Sequence, residues 1–190
     1  MAGDIVVVGT SRGGLKACQT LLSGLDANFP VPVVIVQHRG KDESSLCDYL
    51  NRTSPLPVSE PEDKETILSG HVYLAPRDYH LLVDGTSFAL SIDPPVGYAR
   101  PSIDVLFESA GDQYKDRTIG VILTGVNRDG ARGLAAIKSH GGLTMVEDPA
   151  TAAHAEMPKA AVDQVHPDWI LPLNEIAARL NRLCGSVAVH

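Results

Sequence analysis

The 190-residue chain has no excess of positive charge: 16 Lys and Arg stand against 23 Asp and Glu, for a formal net charge of −7. A nucleic-acid partner requires a basic surface. The cations here are spread singly, apart from short groups such as Arg39-Gly40-Lys41, so no nucleic-acid partner is expected. Paired cysteines are also missing. Cys18, Cys47 and Cys184 are odd in number, far apart and in no C-x-x-C arrangement, which argues against a disulfide framework or a zinc site. They read instead as small buried apolar residues in a reducing compartment. No apolar run approaches the roughly 20 residues of a membrane-spanning helix. Gly3-Asp4 leads directly into an apolar strand with no basic segment of the kind that opens a secretory signal. Internal repeats and low-complexity stretches are absent too. What remains is a soluble, cytoplasmic globular protein, 44% hydrophobic and 21% charged, expected to form a single domain with its core over about residues 4–183.

What is present is a rhythm of short apolar runs and helical patterns. Ile5-Val6-Val7-Val8 and Val33-Val34-Ile35-Val36 are continuous apolar strands, and a helix is expected between them over residues 14–25, with Leu15, Cys18, Leu21, Leu22 and Leu25 at helical spacing. A second helix is expected over about residues 43–52, capped by Asp42 or Ser44. Further strands are expected at 119–123, 143–147 and 169–171, and further helices over 131–140, 157–165 and 173–183. Unbroken apolar strands alternating with helices indicate a parallel sheet covered on both faces. The middle of the chain departs from this pattern: residues 71–75, 80–83 and 88–92 are short strands with turn signals, and Asp84-Gly85 reads as a two-residue hairpin turn. After an extended Pro-rich loop, Ser102 caps a helix whose inner face is Ile103, Leu106, Phe107 and Ala110. The expected fold is α/β, doubly wound and mostly parallel, with an inserted antiparallel hairpin.

Ligands of such sheets bind beyond the carboxyl ends of the strands. Three chemically distinct side chains stand there: Ser11 in Gly9-Thr10-Ser11-Arg12-Gly13-Gly14, His38 after the second strand, and Asp129 in the loop after residues 119–123. A hydroxyl, an imidazole and a carboxylate on one sheet edge are what acyl transfer requires. The serine attacks, the imidazole takes its proton, and the carboxylate fixes the imidazole tautomer. Plainer readings stand beside this one. Ser11 is also suited to a turn, a helix cap or a phosphate cradle, His38 to packing, and Asp129 to capping the helix that starts after it.

Six ordered segments carry a further signal: Gly9-Thr10-Ser11-Arg12-Gly13-Gly14; Gln37-His38; Tyr73-Leu74-Ala75-Pro76 with His80-Leu81; Arg100-Pro101-Ser102-Ile103-Asp104; Leu123-Thr124-Gly125 with Asp129-Gly130-Ala131; and Met157-Pro158-Lys159-Ala160-Ala161. In these the chain resembles the catalytic domain of the chemotaxis protein-glutamate methylesterases (CheB), from Ile5 to about Leu183. The resemblance implies a serine hydrolase that removes methyl groups from glutamate methyl esters on the cytoplasmic helices of chemoreceptors, releases methanol, and in some members deamidates receptor glutamines. It implies Ser11 as nucleophile, His38 as general base and acid, and Asp129 as the orienting carboxylate. Thr10, Arg12, Gly13, Gln37, His80, Arg100, Val126 and Asn127 would form the oxyanion and substrate site, with neither metal nor organic cofactor. Ser11 within hydrogen-bond reach of His38, and His38 within reach of Asp129, is the expected geometry.

The chain departs from the resembled pattern in three respects. Arg12 replaces a usual threonine, where it would favour an anionic substrate or partner or lie out over the surface. Val126-Asn127 replaces Met-Gly, and Asn127 would suit a left-handed backbone. The family's receiver domain has no counterpart ahead of the catalytic segment, which implies a stand-alone form not gated by phosphorylation in cis. Two alternatives stand at this point: a non-catalytic receptor-binding relative, and a nucleotide-binding module. Against the latter, the first glycine-rich turn is neither G-x-G-x-x-G nor G-x-x-x-x-G-K-[ST].

Overall fold

A computed structural model describes residues 3–38 and 46–185. Strands β1 (Ile5–Thr10), β2 (Val33–Gln37), β3 (Val58–Ser59), β4 (Val72–Leu74), β7 (Thr118–Ile122), β8 (Leu143–Glu147) and β9 (Trp169–Leu171) form one sheet in the order β3-β4-β2-β1-β7-β8-β9. Every pairing in it is parallel. The apolar runs are explained by burial on both faces. In β1, Val6 and Val8 enter one core while Ile5 and Val7 enter the other, and β2 divides Val33 and Ile35 from Val34 and Val36 in the same way.

The first core lies under α1 (Gly14–Ser23), α2 (Leu46–Asn51) and α6 (Leu173–Cys184). The second lies under α3 (Ile103–Tyr114), α4 (Ala131–Ser139) and α5 (Glu156–Val165). Helix α4 approaches the sheet over Gly120, where a Cβ would stand 2.7 Å from Leu134 Cδ1 and 2.8 Å from Ile137 Cδ1. Cys18 and Cys184 are buried and unpaired, and burial raises their thiol pKa values to about 12 and about 11, so both behave as small hydrophobes.

The antiparallel hairpin is a separate two-stranded sheet, β5 (His80–Asp84) with β6 (Ser87–Ser91). It lies on the second core through Leu81, Val83 and Phe88 and does not extend the main sheet. Its two-residue turn is Gly85-Thr86, one position later than the Asp84-Gly85 reading, because Asp84 still pairs with Ser87 and the left-handed residue is Gly85 at φ 62°. The strand expected at 71–75 joins the parallel sheet between β2 and β3. The expected caps Asp42 and Ser44 lie outside the described residues.

Strand order reverses at the centre. From β1 the chain steps to β2 and β4 on one side, and β7, β8 and β9 lie on the other. The helix after β1 covers the first core and the helix after β7 covers the second, which opens a crevice between the strand ends. Ser11, His38 and Asp129 all leave the sheet there.

Candidate active site

Ser11 follows β1 directly. Its N–H donates to Thr124 O at 3.0 Å and its carbonyl accepts from Gly14 N at 2.9 Å, which folds the chain sharply into α1. Gly13, the N-cap, is left-handed at φ 83°, and a Cβ there would meet Thr124 Cγ2 and Oγ1 at 3.2 Å. Ser11 itself is 8% exposed, and its hydroxyl makes no hydrogen bond among the described residues.

His38 stands at the end of β2, held through its N–H on Thr10 O at 3.1 Å. Its Nε2 lies 2.8 Å from Asp129 Oδ2, and the two side chains are only 16% and 6% exposed. The other ring nitrogen, Nδ1, faces Asn127 Nδ2 at 3.1 Å. The His38–Asp129 half of the expected geometry is therefore a hydrogen bond. The Ser11–His38 half is not one, because an amide occupies the ring atom the serine would use; loose contacts of this kind are common before substrate binds.

Asp129 was open to being the cap of the helix that follows it. It caps a different one. Its Oδ1 accepts from Ser102 Oγ and Asp104 N, both at 2.9 Å, and its Oδ2 accepts from Ile103 N at 2.7 Å, all at the N-terminus of α3. The N-cap of α4 is Gly130, which has no side chain to offer. Asp104, from α3, serves there: its Oδ1 accepts from Gly130 N at 2.9 Å and Gly133 N at 2.7 Å. Two neighbouring helices thus exchange carboxylates across their positive ends. Burial by itself would raise the Asp129 pKa. The hydrogen bond from His38 and those from Asp104 and Ile103 outweigh it and hold the carboxyl below its usual range. Asp104 goes the other way, raised by burial and further by the neighbouring Asp129, against the lowering pull of its N–H partners and Arg132.

The remaining expected site residues separate into two groups. Arg12, Gly13 and Val126 line a depression of about 510 Å³ on one side of Ser11 and His38. Arg100 and Asn127 line another of about 560 Å³ on the other side. Gln37 lines both and is 4% exposed, with its buried Oε1 lacking a partner among the described residues. The N–H groups of Arg12 and Val126 donate to nothing among the described residues, leaving them free for an oxyanion.

Thr10 and His80 do not line either depression. Thr10 is fully buried and ties the ends of β1 and β7 through Oγ1 to Thr124 O at 2.8 Å. His80 is 2% exposed; its Nδ1 accepts from Ser102 N at 3.2 Å and its Nε2 donates to Pro94 O at 3.1 Å, so it braces the wall instead of facing the cleft. Asn127 is not left-handed, since the non-glycine residues of positive φ among the described residues are Lys64, Asp78, Tyr98, Lys115 and His166.

Sequence reading passed over Glu147. It is 2% exposed at the end of β8 and accepts Thr124 N at 2.7 Å, under the loop that carries the free Val126 N–H. Burial raises its pKa, opposed by the Thr124 bond. A carboxyl raised in the folded state loses stability as pH climbs from its unfolded to its folded value, and the loss persists above that. Glu147→Gln keeps an acceptor for Thr124 and cannot ionise. Its melting temperature is expected to exceed the native one by about 2–4 °C at pH 8, the shift of about 1 kcal/mol in a domain of this size, with the gap closing toward pH 4. Thermal melts across that range check it.

The architecture and its crevice define the class first: a doubly wound α/β protein with a hydroxyl, an imidazole and a buried carboxylate gathered where strand order reverses. Residues 6–180 match the CheB methylesterase family, and the chain belongs to that family. A curated Thermotoga maritima relative, 37% identical over 96% of this chain, is named protein-glutamate methylesterase/protein-glutamine glutaminase; this chain spans 55% of its length. A Leptospira interrogans relative, 46% identical over 95% of this chain and 94% of its own, carries the same double name in provisional form. The crystal structure of the Thermotoga maritima CheB methylesterase catalytic domain superposes with a TM-score of 0.92 at 37% identity, covering 96% of this chain and all of that one.

Proposed function

We propose that this chain, as one catalytic domain, hydrolyses glutamate methyl esters on the cytoplasmic helices of methylated chemoreceptors and releases methanol, with glutamine deamidation as a second reaction of the same site. The observation that carries the reading is the buried His38–Asp129 pair in the strand-reversal crevice, beside a serine whose hydroxyl is unengaged.

In this reading the Ser11 Oγ–H proton passes to His38 Nδ1 as the oxygen attacks the ester carbonyl. The carbonyl π pair moves onto its oxygen, which the Arg12 and Val126 N–H groups receive. Collapse of the adduct expels methoxide, which takes the proton back from Nδ1 and leaves as methanol. Water then repeats the sequence on the acyl-serine and frees the glutamate. Asp129 stays ionised throughout, accepting from Nε2 and steadying the imidazolium. For a glutamine side chain the leaving group is ammonia, and the proton bookkeeping is otherwise the same.

Substrate type is supported by shape and charge. The site is a saddle between two open depressions, which suits a side chain presented on the surface of a helix more than an engulfed metabolite. Arg12 and Lys16 stand on one side and Arg77 and Arg100 on the other, with Asp78 the one acid among the described residues that line either depression. In a chain of net charge −7 that cationic rim suits a glutamate-rich partner.

The test is methanol release from methylated receptor membranes of the same source. Turnover by the native protein well above a Ser11→Ala control, with a falling acid limb, is expected. Turnover of small esters alone would make it a general esterase, and none above the control would favour the non-catalytic reading.

A further inference from the structure

The Asn127 amide can be oriented without ambiguity. Its Oδ1 lies 3.0 Å from Asp129 N, which can only donate, so the oxygen must be on that side. Its Nδ2 is thereby turned toward His38 Nδ1 at 3.1 Å. An amide NH2 has no lone pair to offer, so Nδ1 must accept. The ring proton is consequently on Nε2, which donates to Asp129 Oδ2 at 2.8 Å. One tautomer satisfies all three contacts.

That tautomer is the one in which Nδ1 is a base, yet its lone pair is already taken. We propose that Asn127 is a positioning residue: it sets the Nε2–H tautomer and caps Nδ1 in the free enzyme, so that substrate must displace the amide before Ser11 can pass its proton to the imidazole. The inference deepens the methylesterase reading and rests on it. It accounts for the unengaged Ser11 hydroxyl, which lines the same two depressions as His38 but has no hydrogen bond among the described residues. Protonating Nδ1 while the amide is in place would set two donors against each other, so release of the amide and proton transfer must go together. The resembled pattern usually has glycine at this position, and glycine has no side chain with which to cap the ring.

Other charged groups bear on the ring. Asp129 contacts it from the α4 loop, backed by Asp104 of α3. Arg12 and Lys16 line the depression on one side, and Arg77, Asp78 and Arg100 line the one on the other. Substitution at 127 leaves all these side chains in the sequence, and Asn127→Asp also keeps the acceptor for Asp129 N, so a change in its pH profile reports the group that faces Nδ1.

Two variants separate the cap from a structural role. Asn127→Ala removes both amide contacts. Asn127→Asp keeps the acceptor for Asp129 N but puts a carboxylate against Nδ1. The probe is a p-nitrophenyl alkylphosphonate, which phosphonylates a reactive serine and releases nitrophenol, followed from pH 5 to 9. Imidazole 15N spectra of the same samples read the tautomer directly.

Native spectra should show the proton on Nε2. Asn127→Ala should label about fivefold faster at pH 8, the factor that an ordinary hydrogen bond represents. Asn127→Asp should move the acid limb of labelling up by about one pH unit or more, since an opposite charge at that distance stabilises the proton. A native proton on Nδ1, an unmoved limb in Asn127→Asp, or tenfold slower labelling of Asn127→Ala at every pH would each overturn the cap. Failure of the underlying reading has a different signature: Ser11→Ala would label as fast as the native protein.

Discussion

Replacing Ser11 with alanine is expected to lower kcat for ester hydrolysis by about ten-thousand- to a million-fold, the range seen when a triad nucleophile is removed, while leaving the fold intact. The side chain makes no hydrogen bond among the described residues. The turn is held through the backbone, by Ser11 N–H on Thr124 O and Gly14 N–H on Ser11 O, and alanine keeps both. Stability should stay within about 0.5 kcal/mol of native. Parallel assays of methanol release and thermal unfolding check the pair of statements. Substantial residual turnover would move the nucleophile elsewhere.

Asp129→Asn is expected to damage both properties at once. The carboxylate serves four donors through two oxygens: His38 Nε2, Ser102 Oγ and the N–H groups of Ile103 and Asp104. An amide presents one acceptor and one donor, so it must turn NH2 either on the ring proton or on the start of α3. Turnover should fall about a thousand- to ten-thousand-fold through the wrong tautomer. Stability should fall by about 2–4 kcal/mol as buried donors lose their partner. The pH dependence has a definite sign. Because Asp129 is held below the usual carboxylate range, its contribution is complete above the unfolded value and is lost as pH falls through the folded one. Native protein should therefore outlast the variant most clearly at neutral pH, and the two melting curves should converge under strong acid.

The fold was largely readable because a parallel strand buried on both faces needs an unbroken apolar run, and Val6-Val7-Val8 and Val33-Val34-Ile35-Val36 supply it. Strand β3 was not readable, since two residues, Val58 and Ser59, carry no periodicity. Ser11, His38 and Asp129 could be proposed because each follows a strand. What each one touches could not. The exchange of Asp104 and Asp129 joins residues 25 apart through helix ends whose proximity is tertiary. The Asn127 contact depends on a ring 89 positions away. One local clue existed: Asn127 and Asp129 have the i, i+2 spacing of an Asx turn, which aims the amide. Thr10 and His80 were misplaced for the opposite reason. Ser11 beside Thr10, and Arg77 and Asp78 just ahead of His80, do line the cleft, but these two side chains turn into the body of the protein, Thr10 onto Thr124 O and His80 between Ser102 N and Pro94 O.

The carboxylate exchange between α3 and α4 affects how lost activity would show in related chains. A lineage that abandoned ester hydrolysis would be released from keeping Ser11, and then His38, with little harm to folding. It could not so easily discard Asp129, which would go on closing the start of α3. An aspartate at this position is therefore poor testimony to a working enzyme, and the serine and histidine are the residues to read when sorting living members from retired ones.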